Sequence, residues 1–273
     1  MIKKLLFLSA LGLCANSFAY FDYSSFQKFD NQVSLGMNAQ EGQFNTMDSN
    51  GNNYGFTTTG INLEVEKLFD IGLWLDGNLG NLQSYTENIN KPAAGVPLGA
   101  YPYLVTANLK LGYNLPINKH IAVVPYFLAG KNANLTYFTA ISGSTSSSAN
   151  VTSNFFYTLG GGVHFDFPIN KYVDVYLDQL FASNQDQTGN FKTTDDNGNT
   201  INVNASNTQI TTTIGTKVNV VSKLQLGFSA FYTTYNDYNQ SSLDALSNIN
   251  ETGNGGAPKN AVGDQVSVGF TFE

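Results

Sequence analysis

Ten short runs of this chain alternate apolar and polar residues, and one phase of each run is predominantly apolar and contains no charge. The first and last runs carry their apolar phases at Val33, Leu35, Met37, Ala39, Val266, Val268, Phe270 and Phe272. The ionisable residues of the runs occupy the opposite phase: Glu64, Glu66, Asp76, Lys110, His164, Asp166, Asp174, Asp178 and Lys217. Because successive side chains of a strand point to opposite faces, the pattern predicts ten strands, each with one uncharged face.

The uncharged faces indicate contact with membrane lipid. A lipid-facing Lys or Arg near the middle of a bilayer costs roughly 2–4 kcal/mol, so such faces exclude charge. No stretch of the chain reaches the roughly 20 apolar residues of a membrane-spanning helix. Strands must then cross the membrane as a closed sheet, since an open edge would leave backbone groups without partners in hydrocarbon. The sequence predicts an all-β fold, a ten-stranded antiparallel transmembrane β-barrel.

The connections between the runs alternate between two kinds. The four short ones are 67–70, 115–120, 168–172 and 221–223. The five long ones are rich in Asn, Gly and Ser, at 40–55, 83–100, 131–153, 183–205 and 235–261. Outer-membrane barrels have short periplasmic turns and long extracellular loops. We therefore expect four periplasmic turns, five extracellular loops, and both chain termini in the periplasm.

Closure of the barrel requires the first run to pair with the last. The fifth run, 121–130, is the least regular, because both of its phases are nearly equally apolar. Pro125 lies in its middle and has no N–H to donate to a strand ladder. We expect a β-bulge or a displaced strand boundary there.

Aromatic residues cluster where the apolar phases end, as in the aromatic girdles of membrane barrels. Ordinary strand propensity of aromatic residues is the alternative explanation. The expected periplasmic girdle contains Phe69, Tyr113, Phe167, Tyr172 and Phe272. The expected outer girdle contains Phe56, Tyr101, Phe155, Phe181 and Tyr232.

The N-terminus has the pattern of a secretory signal peptide. Lys3 and Lys4 precede an apolar stretch, and Ser17-Phe18-Ala19 forms a small-x-small cleavage site. We expect a signal peptide at 1–19, a periplasmic lead at 20–28 and the barrel domain at 29–273. The single cysteine, Cys14, lies in the expected signal peptide, so the mature chain would contain no thiol.

Composition argues against nucleic-acid binding. All 13 basic residues of the 273-residue chain are Lys, and the formal net charge is −7. Recognition of phosphate backbones needs basic patches and favours the guanidinium fork of Arg.

The whole mature chain resembles bacterial outer-membrane β-barrel proteins of the small porin or surface-antigen type, through its architecture rather than a specific motif. The resemblance implies location in the outer membrane of a Gram-negative bacterium, in contact with its lipid. It also implies that the assembly machinery reads a C-terminal strand ending in an aromatic residue. Here Val266, Val268, Phe270 and Phe272 match that pattern, and the final Glu273 departs from it.

Seven charged residues are candidates to line the lumen: Glu64, Glu66, Asp76, Lys110, Asp174, Asp178 and Lys217. They could form a selectivity ring that favours cations, or they could pair with one another in a filled interior. Ten strands lie near the size at which side chains fill a barrel. Large inward residues would narrow it further, and we favour the filled lumen: Trp74, Leu104, Phe156, Tyr176 and Phe231.

Catalytic and metal motifs are weak. His164 and Asp166 share the inward phase and could touch, either as a general-base pair or, as we favour, within an interior polar network. The other histidine, His120, lies in a short connection, whereas the ten-stranded omptin surface proteases keep acidic and His–Asp pairs at the outer rim. The Asp-x-Asn-Gly-Asn segments at 48–52 and 195–199 are typical of turns rather than calcium loops. We expect no catalytic residues, metal or cofactor.

Three functions are compatible with the sequence. The preferred one is a structural or surface-interaction role, adhesin- or antigen-like, in which the polar loops contact an extracellular ligand. The second is a narrow passive channel, porin-like, for small solutes. The third, a surface hydrolase, ranks last.

Overall fold

The structure, a computed structural model, describes residues 22–47, 53–85, 98–140, 149–186, 191–194, 200–203, 206–221, 223–237 and 258–272. It contains one helix, α1, at Ser24–Asp30. The strands are β1 Gln32–Met47, β2 Asn53–Leu68, β3 Leu73–Tyr85, β4 Leu98–Tyr113, β5 Leu115–Asn118, β6 Ile121–Ala140, β7 Ala149–Pro168, β8 Val173–Asp186, β9 Phe191–Thr194, β10 Thr200–Val203, β11 Asn207–Val221, β12 Leu224–Asn236 and β13 Pro258–Thr271.

Ten of these strands form a closed antiparallel barrel, as predicted. They follow one another around the barrel as β1, β2, β3, β4, β6, β7, β8, β11, β12 and β13. The first and last strands pair, with Leu35 opposite Val268 and Met37 opposite Val266. The predicted pairing that closes the barrel is therefore confirmed.

The predicted bulge or displaced boundary at Pro125 is wrong. Strand β6 begins at Ile121 and runs through Pro125 without a register shift against β7. The irregularity lies on the neighbouring strand instead: β4 ends at Tyr113 and β5 continues in the same register from Leu115. Between them, the Asn114 N–H donates to the Gly72 carbonyl oxygen at 2.8 Å. The hydrogen-bond ladder along β6 is therefore interrupted opposite Pro125, which has no N–H to donate.

The barrel strands are longer than the apolar runs that predicted them. Strands β6 and β7 stay paired as far as Thr139 and Ala149, within the expected connection 131–153. Strand β1 likewise reaches Met47, within the expected connection 40–55. Backbone ladders need no apolar side chains, so the strands continue beyond the end of the apolar stripe. A small hairpin, β9–β10, lies within the expected connection 183–205.

The two faces of the barrel have the predicted polarity. The outward residues of the apolar stripes are largely exposed, as at Leu35, which is 59% exposed. The charged phase points inward, as at Glu66, which is 2% exposed. A water-soluble barrel has the opposite arrangement, so the fold is that of a transmembrane β-barrel.

We call the end that carries the β2–β3, β4–β6, β7–β8 and β11–β12 connections the short-turn end. At the β2–β3 turn, Gly72 has a φ of 82°, in the region that glycine adopts without steric cost. Of the expected periplasmic girdle, Phe69, Tyr172 and Phe272 are exposed at this end, and Tyr113 and Phe167 are half-buried. In the outer girdle Phe181 and Tyr232 are exposed, whereas the side chains of the other three members lie outside the described part of the chain.

Helix α1 closes the barrel at the short-turn end, and the alternation pattern did not predict it. Its residues Phe26 and Phe29 are three positions apart, on one helix face, and both are buried. The helix packs against β2, β7 and β13. Within the described ranges, no helix has the length and apolar character needed to cross a bilayer.

The strand ends at the mouth hold α1 through its backbone. The Asn219 Nδ2 donates to the Lys28 carbonyl oxygen at 3.2 Å, and the Gln225 Nε2 donates to that of Phe29 at 3.4 Å. Just before the helix, burial and the neighbouring Tyr113 raise the pKa of Tyr23 to about 12. The helix spans the expected boundary between lead and barrel, and the division into 1–19, 20–28 and 29–273 stays a prediction.

Candidate functional site

The charged interior of the barrel is the candidate site. Five of the seven candidate lumen residues are buried there: Glu66, Asp76, Asp174, Asp178 and Lys217. The other two, Glu64 and Lys110, are half-buried. Alternation puts all seven on the inward face, and closure of the sheet brings residues from distant strands into contact. Five of the seven fall into two lysine-centred groups: Glu66 and Lys217 in one, and Asp76, Lys110 and Asp178 in the other.

The first group surrounds Lys217 on β11, just inside the short-turn end. Its Nζ donates to Glu66 Oε2 at 2.7 Å and to Asp30 Oδ1 at 3.1 Å. Glu66 also accepts hydrogen bonds from Gln32 Nε2 and from Trp74 Nε1, each at 3.0 Å. One buried cation therefore ties helix α1 to strands β2 and β11. A buried charge needs such pairing to offset its loss of hydration.

The second group surrounds Lys110 on β4. Its Nζ lies 3.1 Å from Asp76 Oδ2 and 3.2 Å from Asp178 Oδ2. The Tyr126 hydroxyl donates to the other Asp178 oxygen at 2.7 Å. The ammonium also lies 5.1 Å from the centroid of the Tyr126 ring, within cation–π range. These contacts join strands β3, β4, β6 and β8 across the interior.

His164 joins the second group through Asp178, and its contact with Asp166, which the sequence allowed, is confirmed. The Nε2 of His164 lies 2.8 Å from Asp166 Oδ1, and its Nδ1 lies 3.4 Å from Asp178 Oδ2. Carboxylates only accept hydrogen bonds, so an imidazolium with both nitrogens protonated satisfies both contacts. This geometry matches an interior ion-pair network, the interpretation that the sequence favoured over a general base.

An aromatic stack crosses the lumen at this level. The His164 ring stacks on Trp74 and on Tyr176, with ring centroids 5.4 Å apart in each pair. Trp74 also contacts Tyr126, at a centroid distance of 5.8 Å. These residues come from β3, β6, β7 and β8, so their rings bridge the barrel from wall to wall. Trp74 and His164 are both buried.

The interior contains more carboxylates than cations. Among the described residues, Lys110, Lys217 and His164 face a larger acidic set: Asp30, Glu64, Glu66, Asp76, Asp166, Asp174 and Asp178. Both side-chain oxygens of Asp174, and one each of Asp30 and Asp166, are buried without a hydrogen-bond partner. Within the described part of the chain, no group of three or more His, Cys, Asp or Glu side chains is arranged to hold a metal ion.

Above the charged layer, towards the long connections, neutral side chains fill the interior. A hydrogen-bonded chain runs from Asn132 through Thr158 and Asn184 to Asn207, with donor–acceptor distances of 2.7, 2.7 and 2.9 Å. Thr158, Asn184 and Asn207 are buried. The alternation pattern did not distinguish these residues from other polar ones, although all of them occupy the inward phase of their strands.

Asp30 is the functional residue that strand alternation could not reveal. It lies in α1, outside every alternating run, and its partner Lys217 is 187 positions away in the sequence. Of the large residues expected to point inward, Phe156, Tyr176 and Phe231 are half-buried, and the side chain of Leu104 lies outside the described part.

The remaining sequence candidates lie away from the charged interior. His120 is in the β4–β6 turn, with its Nδ1 3.0 Å from the Pro168 carbonyl oxygen. The segments 48–52 and 195–199 lie outside the described residues. The second of them separates the paired strands β9 and β10.

Comparison with known proteins shows likeness of fold without likeness of sequence. No family model matches the chain, and no curated protein matches it in sequence. The translocator domain of the autotransporter NalP from Neisseria meningitidis is 11% identical with a TM-score of 0.47, over 99% of this chain and 96% of that chain.

Two further structures show the same level of likeness. The outer membrane protease OmpT from Escherichia coli is 9% identical with a TM-score of 0.40, over 89% of this chain and 97% of that one. The attachment invasion locus protein Ail of Yersinia pestis is 11% identical with a TM-score of 0.36, over 88% and 97%. The likeness to these outer-membrane barrel proteins is one of barrel architecture.

Proposed function

We propose that this chain is an integral outer-membrane protein whose closed barrel is a scaffold for long surface loops that contact an extracellular ligand. The observation that carries the proposal is the closure of the interior. Helix α1 covers the short-turn end, and the stack of Trp74, His164 and Tyr176 crosses the lumen beneath it. Because the interior of such a barrel is filled, its connections are the part of the chain that is left to contact a ligand.

The orientation in the membrane is part of the proposal. Short turns at one end and long connections at the other are typical of outer-membrane barrels, in which the short turns face the periplasm. Both described ends of the chain, α1 and the last residues of β13, lie at the short-turn end. This is consistent with export by the expected signal peptide at 1–19 and insertion from the periplasmic side.

The long-connection end is built to extend beyond the bilayer. Strands β6 and β7 stay paired through Thr139 and Ala149, well past the apolar stripe. The hairpin β9–β10 adds further ordered backbone there. Such extensions would hold loop segments in water above the headgroups, as a surface-interaction role requires.

A narrow passive channel is the second candidate, because charged residues do line the interior. A conducting path would have to pass Lys110, which both Asp76 and Asp178 hold by ion pairs. It would also have to displace the ring stack and helix α1. Because ion pairs, aromatic rings and helix α1 fill the interior, a scaffold role is favoured over a channel role.

We propose no enzymatic role. Carboxylates contact both ring nitrogens of His164, so neither nitrogen is available to activate a nucleophile. The residue is also buried in the middle of the barrel, away from the loops where a macromolecular substrate would arrive.

Conductance of the purified protein in planar bilayers separates scaffold from channel. We expect no steady unit currents from the native protein or from Asp76→Asn and Asp178→Asn, once each has shown the heat-modifiable mobility of a folded barrel. Steady currents whose size changes in Asp178→Asn would favour the channel and contradict the scaffold.

Cysteine labelling on intact cells tests the orientation. The only native cysteine is Cys14, in the expected signal peptide, so the mature protein supplies a cysteine-free background. A membrane-impermeant maleimide should label Ser146→Cys, in the connection between β6 and β7, without permeabilisation. It should label Lys119→Cys, in the β4–β6 turn, only after permeabilisation. The reverse result would contradict the proposed orientation.

A further inference from the structure

The short-turn end carries a repeated pairing of lysine with exposed apolar side chains. Three of its four turns contribute one lysine each, the end of β2 contributes Lys67 just before the β2–β3 turn, and helix α1 contributes a fifth. We call this set the basic rim: Lys28, Lys67, Lys119, Lys171 and Lys223. At least one large apolar residue beside each turn lysine is exposed: Phe69 and Ile71, Ile117, Ile169 and Tyr172, and Val220 and Val221.

The basic rim has little acidic compensation. Among the described residues, none of its five lysines forms a salt bridge. The exposed carboxylates described at this end are Asp22 and Asp70. Asp70 accepts a hydrogen bond from Gln27 Nε2 at 2.8 Å, and Asp22 accepts one from the Ser24 N–H at 2.9 Å. The rim is therefore strongly positive on a chain whose net charge is −7.

The opposite end has no comparable excess of positive charge among its described, exposed residues. Two lysines, Lys131 and Lys259, stand there against three carboxylates, Glu41, Asp237 and Asp264. Among the described residues, positive charge is therefore concentrated at the short-turn end, although the chain as a whole is acidic.

Four of the rim lysines surround a cavity of about 1120 Å³ at the mouth of the barrel, beside α1: Lys28, Lys67, Lys171 and Lys223. The amide side chains of Gln27, Asn31 and Asn219 also line it, and Asp70 is its acidic lining residue. The ammonium groups of the four lysines around this concave surface form a lining that suits a phosphate group. The Gln27 Nε2 and the Asn219 Nδ2 already donate to Asp70 and to the Lys28 carbonyl oxygen.

Aromatic rings connect the rim to the lipid-facing surface. The Nζ of Lys67 lies 5.0 Å from the centroid of the Phe272 ring, and that of Lys171 lies 4.8 Å from the Tyr172 ring. Phe272 and Tyr172 are exposed and stand where the apolar stripes end. The ammonium groups are thus held next to the level at which acyl chains give way to headgroups.

We infer that the basic rim and its cavity bind the phosphate headgroups of anionic phospholipid in the surrounding bilayer leaflet. Charge complementarity and continuity with the apolar stripe support a lipid rather than a soluble partner. A lysine near an anionic membrane surface strengthens attachment appreciably, and the effects of several lysines accumulate. The inference rests on the proposed function only in placing this end at a membrane surface.

Trp74 is the reporter for the test. It is the only tryptophan of the chain and lies beside the short-turn end, at the second residue of β3. In phosphatidylcholine vesicles that contain a trace of dansyl-labelled lipid, energy transfer from Trp74 reports which headgroup collects near the rim. We expect greater transfer to dansyl-phosphatidylglycerol than to dansyl-phosphatidylcholine, with a preference that declines as salt is added.

Two double variants separate the rim from general charge. Lys67→Gln/Lys171→Gln should lower the preference for phosphatidylglycerol by roughly tenfold, whereas Lys67→Arg/Lys171→Arg should keep it. The matched control is Lys131→Gln/Lys259→Gln, which removes the same charge from the opposite end. In that control Lys131 lies over an aromatic ring, with its Nζ 5.8 Å from the centroid of Tyr157, as both Lys67 and Lys171 do at the rim. The control variant should keep the native preference for phosphatidylglycerol.

Several results would overturn the inference. They are equal transfer to both lipids in the native protein, a preference retained by Lys67→Gln/Lys171→Gln, or an equal loss in the control. Abolition of the preference by millimolar inorganic phosphate would identify a small-anion site instead. Every variant is first checked for heat-modifiable mobility, and Lys171→Gln alone replaces the double if that fails to fold. The cysteine-labelling result is independent, so failure of the proposed orientation and failure of lipid binding remain distinguishable.

Discussion

Lys217 in strand β11 binds Asp30 in helix α1, with 3.1 Å between Nζ and Oδ1. Both side chains are buried, and the pair joins the helix that closes the mouth to the opposite wall of the barrel. Lys217 also holds Glu66, so loss of the lysine would leave two buried carboxylates without their cation.

Substitutions in this pair should release helix α1. Lys217→Met should destabilise the folded barrel by about 3–5 kcal/mol, because it strips the partner from buried charges. Asp30→Asn should have a smaller effect on unfolding, since Glu66 still pairs with Lys217, but it should loosen the helix. Trypsin cleavage after Lys28, an exposed residue of α1, measures the loosening and should become faster in both variants. The control Asp22→Asn alters an exposed carboxylate next to the helix, and an equal acceleration there would contradict the prediction.

The environment of Trp74 makes its fluorescence a probe of the closed lumen. The residue is buried, and its Nε1 donates to Glu66 Oε1. We therefore expect blue-shifted emission that iodide quenches weakly in the folded protein, with a red shift and strong quenching in urea. Efficient iodide quenching of the folded barrel would mean that water fills this level of the lumen. Deletion of residues 22–30 should increase quenching from the short-turn end, because α1 no longer covers it.

Lipid contact of the apolar stripe predicts a depth-dependent cost of charge. Leu35 is exposed in the middle of the stripe of β1, so Leu35→Lys should destabilise the barrel by about 2–4 kcal/mol in phospholipid vesicles. Ile117 is similarly exposed but lies in the short strand β5, at the short-turn end, and Ile117→Lys should cost only about 0–1 kcal/mol, as expected near the interface. Urea titrations of vesicle-bound protein compare the two. Equal costs at both positions would argue against a bilayer around the stripe.

Gly72 is required by both its backbone and its surroundings. Its φ of 82° disfavours side chains, and a Cβ there would lie 2.6 Å from the Tyr23 hydroxyl oxygen. Gly72→Ala should lower the unfolding free energy by about 1–2 kcal/mol from backbone strain alone, and displacement of Tyr23 should add to this. At Gly77, within β3, the nearest atoms would be 3.9 Å from the new Cβ. Gly77→Ala should be nearly neutral in the same urea titration, and a larger loss there than at Gly72 would refute the argument.

Strand number, the two faces of the sheet, the closing pair of strands and the contact between His164 and Asp166 were all predictable from the sequence. Each depends on a local rule: side chains alternate along a strand, and lipid excludes charge from one face. His164 and Asp166 are two positions apart on one strand, so alternation alone brings them to the same side. The ends of the strands were less predictable, because the ladder continues where the apolar stripe stops.

Tertiary structure alone decided how the interior closes. The stack of Trp74, His164 and Tyr176 combines three strands, and the bond between Asp30 and Lys217 joins residues 187 positions apart. Which inward side chains meet across a barrel depends on its register and on the curvature of the closed sheet, and alternation along single strands specifies neither. Helix α1 has too few residues for a periodic signal, and burial against the finished mouth of the barrel stabilises it. The sequence by itself thus determined the wall of this protein, and folding of the whole chain determined what fills it.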